Sequence, residues 1–518
     1  MKINIIGSVI KRAIELKNKI PNLLKIKSPY KAQEKTLKRL MKKAANTSFG
    51  EHYYFYDILK EKDVVLAFKK NVPVFDYNTI YKNWWYRSLN GEPYVCWPGS
   101  VKYFALSSGT SEASSKYIPV TNSMLRAIKK TSIRQIFSLG QYDFPNDFFQ
   151  KGILMLGGST HLHYNGTYYE GDLSGITTKN IPFWFEHFYK PGRRISKERD
   201  WTTKLEEIVK NAKNWDIGII CGVPAWLQIL IEKIISYYNV KTIHDIWPNL
   251  SIYVHGGVSF TPYKKGFDKL LAKPLIYIET YLASEGFIAF QSRLNTSSMQ
   301  LVLDNGLFFE FVPFNEDNFD EDNNIKPNCK TLSLKEVEED TDYALLISSC
   351  AGAWRYLIGD TIRFTSIERS EIVITGRTKH FLNLCGEHLS QENMNMAVKN
   401  VADELKINIR EFTVAGIKYE TMFAHKWYIG TDEKISPEII KEKIDKHLKI
   451  LNDDYRVERI AAIKDVIVDV LPEKIFYDFM KARGKEGAQN KFPRVVKAKI
   501  YEDWENFIKI NVNKTLNN

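Results

Sequence analysis

With 518 residues, 44% hydrophobic and 13% aromatic, the chain can hold more than one domain with an apolar core and is no disordered protein. Its net charge of +12 suggests a nucleic-acid binder until it is located: residues 1–50 carry 13 Lys or Arg against Glu15 and Glu34, leaving the body nearly neutral, with no basic groove for a polyanion. No apolar run reaches membrane-span length, no signal-peptide block opens the chain, and Cys96, Cys221, Cys329, Cys350 and Cys385 are scattered without a C-x-x-C pair, which points to the cytoplasm.

Residues 1–30 form a basic arm whose Ile-rich spacing suits a surface contact, peripheral to a membrane or between copies. Leu37, Leu40, Met41 and Ala44 then recur at helical spacing with lysines on the other face. Such a helix can lie on anionic lipid, but packing on its own domain is expected here. An apolar, aromatic run at 101–106 leads into Ser107-Ser108-Gly109-Thr110-Ser111, followed by Lys116. Small side chains leave backbone N–H groups and hydroxyls free to converge in one concavity, and a lysine adds charge, which is what nucleotide phosphates require. By itself the stretch reads equally well as a flexible polar loop, and it lacks Walker-loop spacing.

Apolar runs at 153–156, 217–221, 251–254 and 275–278 read as strands, the first three running into Gly157-Gly158, Gly222 and Gly256-Gly257. A helix opens at Pro224. Strand, glycine and helix in alternation predict an α/β core with ligand sites at strand ends. Thr280-Tyr281-Leu282-Ala283-Ser284-Glu285-Gly286 adds a ring, hydroxyls and a carboxylate able to hold Mg²⁺. Residues 307–312, 343–348, 361–364 and 371–375 are β-rich, predicting an antiparallel sheet or small barrel. The acidic stretch 316–324 departs from a calcium loop, with Ile325 where glycine is required. Asp360, after Gly359, reads as an ordinary turn or as an acceptor for ribose hydroxyls. Thr375-Gly376-Arg377 offers a hinge and a cation that could reach ribose or phosphate. From 377 a compact α+β unit is predicted, with helices at 389–405 and 437–451 and strands at 411–418, 422–429 and 466–470. The glycine-containing loop 484–494 could deliver Lys491 to a charge that develops only during reaction.

In this order the segments resemble the Gretchen Hagen family of acyl-acid amido synthetases, adenylate-forming enzymes. Its SSGTS loop and following lysine match Ser107–Ser111 and Lys116, and its Y-x-x-S-E element matches Tyr281 to Glu285. Its Q-x-K-x-P-R element matches Gln489 to Arg494, and a Y-R-x-G-D element matches Tyr356 to Asp360 loosely. Trp354-Arg355-Tyr356 reverses the usual Tyr-Arg order, which puts any role for Arg355 in doubt. The Lys-, Ile- and Asn-rich composition suits a bacterial member.

The resemblance implies a large adenylate-forming domain, 31–376, with mixed sheets and a β-rich subdomain, and a small mobile α+β lid, 377–518. It implies adenylation of a carboxylic acid by ATP with Mg²⁺, then acyl transfer to an amine such as an amino acid. Ser107, Ser108, Gly109, Thr110, Ser111 and Lys116 would face the phosphates. Tyr281 would lie on the adenine side, Asp360 and Arg377 at the ribose, and Ser284 would join the nucleotide-binding residues. Glu285 would hold Mg²⁺, and Glu285 and Lys491 would be catalytic. Residues 222–226 and 173–176 are candidates for the acid pocket by position, or core packing. Rival readings are transfer to coenzyme A or a carrier thiol, a non-catalytic nucleotide-binding protein attached to membrane by its arm, and, weakest, a metal hydrolase built on His161-x-His163.

Overall fold

A computed structural model describes residues 28–107, 116–257, 260, 263–320, 323–378, 382, 387, 389–419, 422–452, 455–456, 458–459, 463–487 and 490–515. The basic arm up to residue 27 lies outside these, and so do Ser108, Gly109, Thr110 and Ser111. Six short strands come first: β1 (Tyr103–Ser107), β2 (Lys116–Val120), β3 (Gly152–Leu156), β4 (His163–Tyr164), β5 (Tyr169–Gly171) and β6 (Tyr189–Lys190). They are followed by β7 (Ile217–Gly222), β8 (Ile252–His255), β9 (Ile276–Ala283), β10 (Gly286–Phe290) and β11 (Met299–Leu301). Next come β12 (Leu307–Pro313), β13 (Asp342–Ser349), β14 (Tyr356–Ser366) and β15 (Glu371–Arg377). Beyond them lie β16 (Glu411–Tyr419), β17 (Met422–Gly430) and β18 (Ile463–Leu471).

The main sheet runs β12-β13-β14-β15-β11-β10-β9-β8-β7-β3-β6. From β6 to β9 the strands are parallel. They are apolar on both faces because helices and loops cover both. One face packs on Leu227, Leu230, Ile231 and Ile234 of the helix Pro224–Tyr238, the other on Leu139, Phe144 and Phe148. Pro224 occupies the first turn of its helix, where a missing N–H costs nothing, and Asn239 ends it in the left-handed region.

The β-rich segments are antiparallel, as expected, but they form neither a separate sheet nor a barrel. β10 folds back antiparallel on β9 and pairs with β11, and β11 pairs with β15, so the antiparallel half extends the parallel one. Each strand's pattern states that it is buried; only pairing decides which edge it joins. β1, β2, β4 and β5 make a second, four-stranded sheet.

The basic helix, Pro29–Ala44, packs against its own domain. Leu37, Leu40, Met41 and Ala44 are buried in the main core. The Gln33 amide donates to the carbonyls of Leu303 (2.7 Å) and Leu307 (2.9 Å) and accepts from the Phe309 N–H, stitching the helix to the edge strand β12.

Beyond β15, strands β16-β17-β18 form a three-stranded sheet. Helices Gln391–Leu405 and Pro437–Leu451 share one apolar core with it, and Glu473–Ala482 packs in another with Trp504 of Ala498–Thr515. The first of these helices begins at 391, two residues later than expected, because Ser390 and Asn393 close a capping box there. Helices Asn122–Ser138, Trp201–Asn211, Glu473–Ala482 and Ala498–Thr515 had not been anticipated.

Candidate active site

The carboxyl ends of β3, β7, β8 and β9 open into a cavity of about 1730 Å³, walled on the other side by β14, β15, the helix Gln391–Leu405 and residues 484–485 and 490–494. Its size exceeds that of a usual small-molecule pocket and leaves room for a nucleotide beside a second substrate. Ser107, Tyr281, Ser284, Glu285, Asp360, Arg377 and Lys491 all line it. These residues span most of the chain and meet only through the fold.

Asp360 is the fixed point. It sits inside β14 rather than in a turn, directly opposite Arg377 in the β14·β15 register. The Arg377 Nε contacts its Oδ1 at 2.8 Å, and the Tyr281 hydroxyl donates to its Oδ2 at 2.5 Å. Both oxygens are therefore aligned from strands β9 and β15. Gly376 lies in β15 paired with Thr361, where the β14·β15 register shifts by one residue, so the proposed glycine hinge falls on a local strand irregularity.

Glu285 follows β9. It is buried, and its carboxyl accepts from its own backbone N–H but pairs with no other side chain among the described residues. Burial raises its pKa to about 7, with the charge of Asp360 adding to the rise and Lys116 opposing it. Lys116 pairs with Ser107 across β1·β2 and sits 5.3 Å from the Tyr77 ring. Burial lowers its pKa, and Glu285 draws it back up. Lys116 lies behind the cavity wall, acting on the site through its charge.

Lys491 reaches in from the C-terminal loop and donates to the Gly257 carbonyl. Its ammonium is open to the cavity but lies deep in the molecule. That depth lowers its pKa to about 8, helped by repulsion from Arg377 and opposed by Asp360. Gly257 adopts φ +83° at the end of β8, a conformation that favours glycine and turns this carbonyl toward the lysine.

The acid-pocket candidates divide. Gly222, Val223 and Ser174 line the cavity. Leu173, Ile176, Ala225 and Trp226 are core residues instead, and the Trp226 indole donates to the Asn490 carbonyl at 2.8 Å. Arg355 is not in the site. It is buried against Glu310 and donates to the carbonyls of Lys69 (2.8 Å) and Val72 (2.6 Å). His163 is exposed and paired with Glu170 at 2.9 Å.

Three cavity residues escaped the sequence reading. Glu279 on β9 has no side-chain partner among the described residues, and burial raises its pKa to about 7. His255 lies opposite it in the β8·β9 register, with a buried, unpartnered Nδ1. Gln135 donates to the Thr280 hydroxyl at 2.6 Å. The available signal was period two: Glu279 lies two residues before Tyr281, on the same side of the strand.

A divalent cation fits the donor chemistry at Glu285. No group of three or more metal-ligating side chains occurs among the described residues. Mg²⁺ needs none, since one or two carboxylates, phosphate oxygens and waters complete its shell. The Glu285 carboxyl is free to serve, with a lysine and an arginine nearby to neutralise phosphate charge.

Models of the GH3 family N-terminal, central and C-terminal domains match residues 23–190, 300–377 and 392–500. A jasmonoyl–L-amino acid synthetase of Nicotiana attenuata is 21% identical over 453 residues, 74% of this chain and 76% of that one. An indole-3-acetic acid-amido synthetase of Arabidopsis thaliana is 24% identical over 332 residues, 59% and 54% of the two chains. Among solved structures, the GH3.15 acyl acid amido synthetase superposes with a TM-score of 0.76 at 17% identity, covering 97% of this chain and 96% of that one. A 2-hydroxyisobutyryl-CoA ligase superposes with a TM-score of 0.59 at 12% identity, covering 93% and 91%. With domain models matched in succession along most of its length, the chain belongs to the GH3 family.

Proposed function

We propose that this chain is an ATP-dependent acyl-acid amido synthetase. A carboxylic acid attacks the α-phosphorus of ATP, forming acyl-adenylate and releasing pyrophosphate; an amine, as in an amino acid, then attacks the acyl carbon and AMP departs. The observation that carries this reading is the convergence of Lys491, Glu285, Asp360 and Arg377 on one cavity from segments far apart in sequence. Carboxylate and triphosphate repel each other, and a site for their reaction must supply positive charge, as Lys491 and Arg377 do here. The relatives' names, jasmonoyl- and indole-3-acetic acid-amido synthetases, support an amide product.

In this reading Asp360 and Arg377 hold the ribose, and Tyr281 fixes Asp360 and flanks the adenine. Ser107 faces the phosphates, with the Ser108–Ser111 stretch next to it in sequence, Lys116 supplies charge from behind the wall, and Ser284 borders them. Lys491 stabilises charge on the reacting oxygens. Mg²⁺, held by Glu285, supplies Lewis-acid neutralisation of the phosphates when bound. Residues 377–518 act as a lid that changes position between the two steps. Four unpaired thiols among the described cysteines and a composition rich in Lys, Ile and Asn support a cytoplasmic, bacterial setting. No described helix is long and apolar enough to cross a membrane.

The test is acid-dependent exchange of pyrophosphate into ATP across a panel of carboxylic acids, followed by product analysis with amino acids or coenzyme A. Exchange with amide product is expected. Thioester without amide would shift the reading to a thiol ligase, and no exchange with any acid would end it.

A further inference from the structure

Glu279 and His255 line the cavity but hold no part of the nucleotide in the reading above. They lie opposite each other on β9 and β8, at the last paired position of the parallel register. The Phe260 ring shows which face they share. It stacks on His255 at 4.8 Å and packs on Tyr277 at 4.6 Å, and Glu279 follows Tyr277 by two residues, which returns it to the same side of β9. Carboxyl and imidazole therefore stand on one wall.

The polar groups beside them are already matched. The Tyr277 hydroxyl donates to Asp268 Oδ1 at 3.1 Å, and the Lys264 ammonium donates to Oδ2 at 3.0 Å. Gln291 Oε1 accepts from the Glu279 backbone N–H at 3.2 Å. The Glu279 carboxyl itself has no side-chain partner among the described residues, and His255, 7% exposed, buries an unpartnered Nδ1. Burial pushes the carboxyl up to about 7 and the imidazole down to about 4. Folded proteins leave few buried polar groups unmatched, and two on one cavity wall mark a place that a ligand completes.

Their position on the strands says which ligand. Tyr281, which meets Asp360, and Gly257, which meets Lys491, each lie two residues further along the same strands. Glu279 and His255 are thus set back by about 7 Å from the reacting end, toward the apolar wall of Tyr253, Phe260 and Phe267. An acid whose carboxyl reacts beside Lys491 runs its far end to this wall. The amine attacks only once the acyl-adenylate fills that space, so it must approach from the open side.

We propose that Glu279 and His255 are specificity-determining residues that bind a hydrogen-bond donor, an ammonium or a hydroxyl, at the far end of the acid substrate. The chain then activates amino- or hydroxy-substituted acids in preference to wholly apolar ones. The proposal rests on the adenylation reading above and adds the class of acid to it.

The full chain is tested with matched acids: caproate beside its ε-hydroxy and ε-amino forms, and phenylacetate beside its para-hydroxy and para-amino forms. In acid-dependent pyrophosphate exchange, kcat/KM should be about tenfold higher or more for a donor-bearing member, the scale of one buried hydrogen bond left unmade. Glu279→Met should cancel or invert that ratio. Glu279→Gln should keep a preference for hydroxyl and lose one for ammonium, which tells the two donors apart. Preference of the unaltered chain for unsubstituted acids, or a ratio unmoved by Glu279→Met, overturns the assignment while leaving adenylation standing. Loss of amide formation with exchange intact would give the pair to the amine and overturn it too. Urea unfolding supplies a readout that needs no turnover. An unmatched carboxyl disfavours the empty fold, so Glu279→Met should raise the unfolding midpoint of the ligand-free chain. An equal or lower midpoint would show that Glu279 serves the fold, and overturns the assignment even if no acid supports exchange.

Discussion

Glu285 and Lys491 face the same cavity with opposite titration problems. Burial resists charge on both, pushing the carboxyl up to about 7 and the ammonium down to about 8. The proposed chemistry needs Glu285 ionised and Lys491 protonated, so the productive state is most populated between those values. The kcat/KM for pyrophosphate exchange should rise with pH through about 7 and fall above about 8. Lys491→Arg, charged at all accessible pH, should abolish the alkaline fall, and a fall that persists would detach it from Lys491. Lys491→Ala should lower adenylation by ~100-fold or more while ATP affinity, measured by titration calorimetry, is largely kept, since the lysine acts on charge that develops during reaction. The residue types at these positions were legible from the motifs. Their charge states were not, because a pKa depends on neighbours brought from elsewhere in the chain, as Asp360 and Lys116 are to Glu285.

At the scale of elements, the site depends on how closely the ends of β8 and β9 approach. A Cβ on Gly256 would meet the Thr280 carbonyl at 2.2 Å, so the glycine is needed for this close backbone contact. Gly256→Ala should force the strand ends apart, destabilising the protein by about 1–3 kcal/mol in urea unfolding and raising the KM for ATP. Unchanged stability would mean that the strands separate without cost. The strands themselves were readable from sequence: β7, β8, β9 and β12 to β15 all overlap apolar runs. The four unanticipated helices show why this stops short. In Trp201–Asn211 only Trp201, Leu205, Ile208 and Val209 supply the apolar stripe, and polar residues such as Thr202 and Glu206 mask it in a linear reading.

For the whole molecule, metal and fold are separable. Mg²⁺ in this reading is bound by one carboxylate and the substrate's phosphates, so it contributes little to the stability of the free protein. A chelator should abolish pyrophosphate exchange yet shift the Tm of the ligand-free chain by no more than about 1 °C; a large fall would reveal a structural metal. The sequence alone determined the alternation of strand and helix, the position of the basic arm, and the chemistry offered at Ser107, Tyr281, Glu285, Asp360 and Lys491, because these are written in local periodicity and composition. The tertiary structure alone decided that β12 to β15 extend the parallel sheet, that Asp360 faces Arg377 and Tyr281, that Trp226 braces the lysine loop instead of lining a pocket, and that Glu279 and His255 border the cavity. Those outcomes follow from which strand edges and helix faces pair over long separations, and such pairing is selected by total burial and hydrogen-bond satisfaction, quantities no short window of sequence contains.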